Sequence, residues 1–528
     1  MNGFRRWRLG ACSTAGTALL VVVAGARAGV IAPDLLAAME AGGDVPFIAR
    51  FAERAAADTL PGKGQGRRAA LESLIVGLRS TADASQQLAR DLLQRQGAKR
   101  IVQLWSINAL AGTASPEAIE ALAALPGIES IGPDATLASP APQPAATAVP
   151  EWNLDAVGAP VLWGEGLTGV GVVVAGMDTG VDGLHPDLAT RWRGDSNSWF
   201  DPNGEHATPA DGNGHGTQTM GVMVGGASGG TAIGVAPDAR WIAVKIFNDA
   251  GYATLSGIHT GFQWLLDPDG NPSTDDVPDV VNASWGFPDL VGQCYLEFEA
   301  DLEILKSAGI AVVFSAGNQG TAGSVSPANN PAGFAVGAVD AALAVAAMSS
   351  RGPSACDGSV YPEVVAPGVG IRTSDLTFNG TYPNSYAAVS GTSFAAPHVA
   401  GAMALLRQAD PAATVAELEQ AVTASAADVG PSGPDNTSGY GMLDAPAARQ
   451  WLATAPPPCV DTDGDGFYGQ VNCGTAVDCN DASPAINPAA CDIVGDGIDQ
   501  NCDGVDRLKG KACPVSGGGS GGGKGKPR

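Results

Sequence analysis

Gly171-Val172-Val173-Val174-Ala175-Gly176-Met177 is an unbroken apolar run that leads into Asp178-Thr179-Gly180. A strand half-exposed to water alternates apolar and polar residues. A run with no polar member suits a strand covered on both faces, as in a parallel sheet. Outward from it, residues 241–246, 280–283, 310–315 and 334–339 are short, mainly apolar stretches that read similarly, with helix-like segments between them. Strands alternating with helices predict that residues 151–455 form an α/β domain, a parallel sheet with helices on both faces. Ligands of such sheets bind beyond the carboxyl ends of the strands, so chemistry is sought at the residues that end them.

Asp178 ends the first run. A carboxylate there is shielded from bulk water, although an Asp at a strand end also serves as a cap. His215 lies in Gly212-Asn213-Gly214-His215-Gly216-Thr217, where flanking glycines allow close backbone approach and leave the imidazole open to a partner. The other histidines fit less well: His185 is in a turn, His206 in a polar loop, and His259 and His398 fall in helix-like segments as packing or surface residues. An imidazole exchanges protons near neutral pH, which suits a general base. Ser393 lies in Gly391-Thr392-Ser393-Phe394-Ala395-Ala396-Pro397-His398, ahead of an apolar helix. Pro397 is tolerated only near a helix start, so the helix is expected to begin around Ser393. The hydroxyl and a free backbone N–H then sit at the positive end of the helix dipole. A serine becomes nucleophilic when a base takes its proton, and an anionic intermediate needs waiting donors. Taken singly, a serine at a helix start is also an ordinary N-cap.

The order Asp178, His215, Ser393 is one of three chain orders known for a single catalytic geometry. The neighbouring words make the likeness specific: Asp178-Thr179-Gly180-Val181 with His185-Pro186-Asp187-Leu188, Gly214-His215-Gly216-Thr217, Ser315-Ala316-Gly317-Asn318, and Gly391-Thr392-Ser393 running to Gly401. On these motifs the chain resembles the subtilisin-like serine peptidases. Residues 262–266 and 279–286 further resemble the bacillopeptidase F-like branch. The resemblance implies that Ser393 attacks a peptide carbonyl, that His215 takes its proton, that Asp178 orients the imidazole, and that Asn318 with the Ser393 N–H cradles the oxyanion. It also implies that Ser284, Trp285 and Gly286 pair with substrate and, with Ser315, Ala316 and Gly317, wall a roomy, mainly apolar specificity pocket. Two departures lie outside the triad: Gln218 stands where the family has His, and Phe394 where Met is common. Asp187 matches a calcium ligand of some relatives, but its partner loop, residues 225–233, lacks the expected Asn, so no calcium is assigned there. Gly226-Ala227-Ser228-Gly229-Gly230 fits the nucleophile elbow of another hydrolase fold but lacks its strand–turn–helix setting, and reads as a loop.

The flanks extend this picture. Arg5, Arg6 and Arg8, a short apolar run at 18–24 and Ala26-Arg27-Ala28 read as a signal peptide over residues 1–28, too short to span a membrane. Residues 29–138 carry an α+β pattern: strands at 45–51, 101–105 and 128–131, helices at 69–93 and 116–125. The resemblance makes this the inhibitory propeptide, an intramolecular inhibitor of the site. Residues 139–150 are rich in Ala and Pro and read as an extended, protease-accessible linker, the expected processing region.

Residues 459–506 are rich in Asp and Cys and contain no Lys or Arg; residues 507–528 form a basic, Gly-rich tail. Asp461-Thr462-Asp463-Gly464-Asp465-Gly466 begins like a calcium loop, but Asn472 stands where a complete EF-hand has Glu. Asp478 and Asp481 are candidates for the missing oxygens of a Ca2+ site; no cofactor is expected for catalysis. Excluding Cys12, the cysteines are even in number, which fits disulfides in an exported chain. Cys294 and Cys356, alone in their domain, are a candidate pair.

The net charge of −25 argues against nucleic acid as a partner. Protein or peptide substrates and a monomeric state are expected. The function read from all this is a secreted serine endopeptidase made as a zymogen. The alternatives are an inactive binding protein on the same fold and a calcium-dependent surface-binding protein.

Overall fold

In the computed structural model the run at 171–177 becomes the strand Val173–Asp178, inside a seven-stranded parallel sheet. Residues 29–55, 67–140, 143–144 and 152–454 are described, and in the C-terminal part 466–467, 477–480, 482–491, 493, 497–502 and 504. The sheet runs Val364–Pro367, Ala335–Val339, Ala311–Ser315, Val280–Ala283, Val173–Asp178, Arg240–Lys245 and Trp199–Phe200. Successive side chains of a strand point to opposite faces, and here each face has its own core. Val174, Ala243, Val280, Val313 and Val336 pack under the helices His215–Val224 and Thr392–Ala409. Ala175, Met177, Ile242, Val281 and Phe314 pack under Leu255–Leu266 and Glu299–Ser307. That double burial is why no polar residue interrupts the run. The edge strands Val364–Pro367 and Trp199–Phe200 were not expected, being short and framed by loops.

The N-terminal part is a five-stranded sheet in the order Val30–Ile31, Ile128–Pro133, Val45–Phe51, Ala109–Ala114 and Lys99–Leu104. Its long helix, Arg67–Arg95, buries Leu71, Leu74, Ile75, Leu78, Ala82, Ala89 and Leu93 along one stripe. The first half of that stripe joins the core of the neighbouring sheet domain, beside Phe262, Leu265 and Leu302. The second half packs on Phe47 and Leu110. Ala109–Ala114 and the helix Pro33–Glu40 carry too little β-branched or periodic signal to be expected. Of the linker, residues 139–140 and 143–144 are described, and backbone links tie them to the following domain. Ser139 N–H bonds the Gly251 carbonyl at 2.7 Å, and Gln143–Pro144 pair with the strand Tyr386–Ser390. Pairing uses backbone groups, so an Ala/Pro composition permits it at an edge, although each proline gives up its N–H donor.

Cys294 and Cys356 form a disulfide with their Cα atoms 4.7 Å apart. The chain divides into two units, Met1–Ala453 and Thr454–Arg528. The second is held by a Cys479–Cys502 disulfide and by turns. Residues 1–28 and 507–528 lie outside the described residues. Among the described residues no helix is long and apolar enough to cross a membrane.

His259 is not the simple packing residue expected. It is wholly buried, with Nδ1 2.7 Å from Asp301 Oδ2 and Nε2 3.1 Å from Glu297 Oε1. Glu297 also accepts from Arg50 of the N-terminal sheet. Burial alone would press the imidazole pKa down, but Asp301 and Glu297 outweigh it and hold it up at about 9. Glu297, despite its own burial, is held down at about 2 by His259 and Arg50. A raised imidazole pKa adds stability that is complete below its ordinary value of 6.5 and is lost as pH rises through about 9. The thermal midpoint of the full chain is therefore expected to fall between those pH values, by an amount equivalent to roughly 3 kcal/mol at most. His259→Gln should flatten that slope in a pH series of melting curves.

Candidate active site

Asp178 is the last residue of its strand and His215 the first of its helix. Both are buried, and His215 Nδ1 lies 2.8 and 2.9 Å from the two carboxylate oxygens. Thr179 N–H donates to Asp178 Oδ1 at 2.7 Å, and Thr179 Oγ1 accepts from Gly216 N–H at 2.9 Å, tying the helix start to the strand end. Gly214 has φ +101° and Gly180 φ +114°, a region that favours glycine. A Cβ on Gly216 would stand 2.1 Å from the Gly180 carbonyl oxygen, so the close approach itself demands a glycine.

Ser393 is the second residue of Thr392–Ala409. Phe394, next to it, has its ring centroid 5.7 Å from that of His215. His215 Nε2 is buried and makes no hydrogen bond among the described residues. Ser393 Oγ instead donates to the Ser284 carbonyl at 3.4 Å, so the serine is not hydrogen-bonded to the imidazole in this conformation. The helix begins one residue earlier than expected, and Pro397 lies in its second turn. Proline has no N–H for the carbonyl four residues back, which is that of Ser393. Ser284 Oγ supplies the missing donor at 2.9 Å.

Asn318 follows the strand Ala311–Ser315. Its Oδ1 accepts from Thr392 N–H at 2.9 Å and Thr392 Oγ1 at 3.0 Å, which leaves the amide NH2 as the free end. Asn318 and Ser393 line one cleft of about 390 Å³. Of the six expected pocket residues, Ser284, Trp285, Gly286, Ser315 and Gly317 also line it. Ala316 does not: its side chain is buried and its carbonyl accepts from the Tyr361 hydroxyl. Val325 and Gln319 line the cleft without a sequence signal, and Val325 takes up part of the room the small residues leave.

The strand Thr136–Ala138 runs antiparallel to Tyr252–Thr254, pairing Ala138 with Tyr252 and Thr136 with Thr254. Ala138, Ser139 and Pro140 then enter the cleft beside Ser393. The chain thus lays its own extended segment across the site.

The acidic residues behave differently from one another. Asp461, Asp463, Asp465 and Asp481 lie outside the described residues. Asp478 is buried; its Oδ1 accepts from Asn480 N–H at 2.8 Å, while Oδ2 is buried without a partner. A lone carboxylate oxygen suits a hard cation. The neighbouring Cys479 and Cys502 sulfurs are bonded to each other and offer no thiolate. Both oxygens of Asp187 are engaged by the chain, one by Ser228 N–H and one by the Tyr386 hydroxyl, each at 2.6 Å. Residues 226–230 form a turn after the helix His215–Val224.

Residues 169–441 match the family model described as "Subtilase family", and residues 478–506 one described as "Putative metal-binding motif". The chain is 36% identical to Bacillopeptidase F of Bacillus subtilis (strain 168) over 412 residues, 71% of this chain and 28% of that protein. It is 32% identical to Subtilisin E of the same organism over 391 residues, 73% of this chain and 92% of that protein. An alkaline protease of Alkalihalobacillus alcalophilus is 36% identical over 347 residues, 65% of this chain and 80% of that protein. The chain therefore spans under a third of the first of these relatives and nearly all of the second.

The tight seat of Gly216 gives a direct check. Gly216→Ala is expected to cost about 1–3 kcal/mol through overpacking, read as a lower thermal midpoint. It should also part His215 from Asp178, read as loss of their hydrogen-bonded proton in the NMR spectrum.

Proposed function

The chain belongs to the subtilase family, and from that premise we propose that it is a secreted serine endopeptidase made as a zymogen. The observation that carries this is the His215 imidazole: one nitrogen is fixed by Asp178, the other is buried with no partner among the described residues, and Phe394, which follows Ser393 at a helix start, lies against the ring. Ser393 Oγ leaves the Ser284 carbonyl, gives its proton to His215 Nε2, and attacks the substrate carbonyl. Asp178 keeps the imidazole in the tautomer whose Nε2 can accept and stabilises the cation that forms. The developing oxyanion takes hydrogen bonds from Asn318 Nδ2 and the Ser393 N–H, at the positive end of the 18-residue helix. Nε2 then passes its proton to the leaving amine. Water hydrolyses the acyl-enzyme by the same proton path in reverse.

The N-terminal part acts as propeptide and intramolecular inhibitor. Its segment Thr136–Ala138, with Ser139 and Pro140, covers the cleft that substrate needs. Residues 1–28 direct export, and the peptidase acts as a monomer on proteins or peptides. In the C-terminal module Asp478, with Asp461, Asp463, Asp465 and Asp481, holds Ca2+, which takes no part in catalysis. The buried, unpartnered Asp478 oxygen supports a cation there.

A fluorophosphonate probe should label Ser393 in the processed protein and should not label Ser393→Ala, as read by peptide mass spectrometry. Ser393→Ala should also remain at full length where the wild type shortens. Asn318→Ala should keep the labelling site but lower kcat by about 10²–10³. A processed wild type that takes no label would point to the inactive binding protein instead.

A further inference from the structure

We infer that Val325 forms the floor of the specificity pocket and restricts the residue before the scissile bond to Ala- or Ser-sized side chains. The inference rests on the peptidase reading above. Gly286 and Gly317 face the cleft, and two glycine walls would by themselves leave a deep slot. A Cβ on Gly286 would meet Val325 Cγ1 at 3.1 Å, and one on Gly317 would meet Val325 Cγ2 at 2.8 Å. The two methyl groups of one valine thus stand against both walls and fill the slot between them.

The floor is not free to move aside. Val325 is buried, and its N–H donates to the Tyr361 hydroxyl at 3.3 Å. That hydroxyl donates in turn to the Ala316 carbonyl behind the opposite wall. A fully buried aromatic ring therefore fastens floor to wall. Ala138, Ser139 and Pro140, the chain's own segment along this cleft, carry no large side chain. An aromatic side chain would have to displace packed methyl groups, and overpacking of that kind is unfavourable.

The test uses enzyme processed from the full chain and succinyl-Ala-Ala-Pro-X p-nitroanilides with X as Ala, Leu or Phe. The wild type should favour Ala over Phe in kcat/KM by about tenfold or more, the scale that one or two methylenes command in a closed pocket. Val325→Gly should reverse that order, and Val325→Ala should fall between. A wild type that cleaves after Phe as readily as after Ala overturns the inference, whether or not the glycine variant folds. So does an unchanged Ala-to-Phe ratio in variants whose Ser393 still takes the fluorophosphonate. Cleavage of no peptide together with no labelling of wild-type Ser393 overturns the peptidase reading, and the inference with it.

Discussion

The bond between Asp178 and His215 joins two side chains that are 2% and 0% exposed. Groups stripped of water to that degree are tolerated only where their partners are already in place. Most local features of the cleft can be traced to this requirement. The strand must end on the carboxylate, the helix must start on the imidazole, and the two backbones must meet closely enough that Gly216 has no room for a side chain. The sheet's carboxyl edge then carries Asp178, Asn318 and the pocket walls on neighbouring strands. The long central helix brings Ser393 to the same edge from beneath.

That helix contains an irregularity that matters to the chemistry. Pro397 leaves the Ser393 carbonyl without its usual intrahelical donor, and Ser284 Oγ fills the gap while the Ser284 carbonyl accepts from Ser393 Oγ. Two residues thus exchange two hydrogen bonds, backbone to side chain in both directions. The first clamps the turn that carries Ser393. The second, at 3.4 Å, is long and easily surrendered, so the hydroxyl can rotate while the backbone stays clamped.

Five of the seven strands of the large sheet were legible because burial on both faces keeps the run mostly apolar, a signal confined to a few adjacent positions. Asp178, His215, Asn318 and Ser393 were legible for a similar reason: each sits in a short stretch whose glycines and small residues answer a local demand. What the sequence hid is long-range. His259 looks like any helical histidine until residues 297 and 301 are folded against it. Val325 is one valine in a loop until it meets glycines 39 and 8 positions away (325 − 286 and 325 − 317). Ala109–Ala114 is a strand made by its neighbours more than by its own residues. Contacts of this kind also hold the N-terminal part in place. Arg50, Arg67 and Arg79 reach Glu297, Asp279 and Asp267 across the interface. In a chain of 54 acids and 29 Lys and Arg, that gathers scarce cations where one body covers another.

The Cys294–Cys356 bridge has a consequence for the cleft as well as for the fold. The segment that carries Val325 lies between the two loops it joins. Tyr295 N–H bonds Ser326 Oγ at 2.9 Å, Asn329 Nδ2 bonds the Gln293 carbonyl at 3.0 Å, and Ala355 N–H bonds Ser324 Oγ at 3.0 Å. The sulfur link is a splint around the part of the cleft that Val325 lines. In a thiol-rich cytoplasm the splint would open and the slot would become pliable. A molecule reduced at this bridge would then lose the shape of its cleft before its sheet came apart.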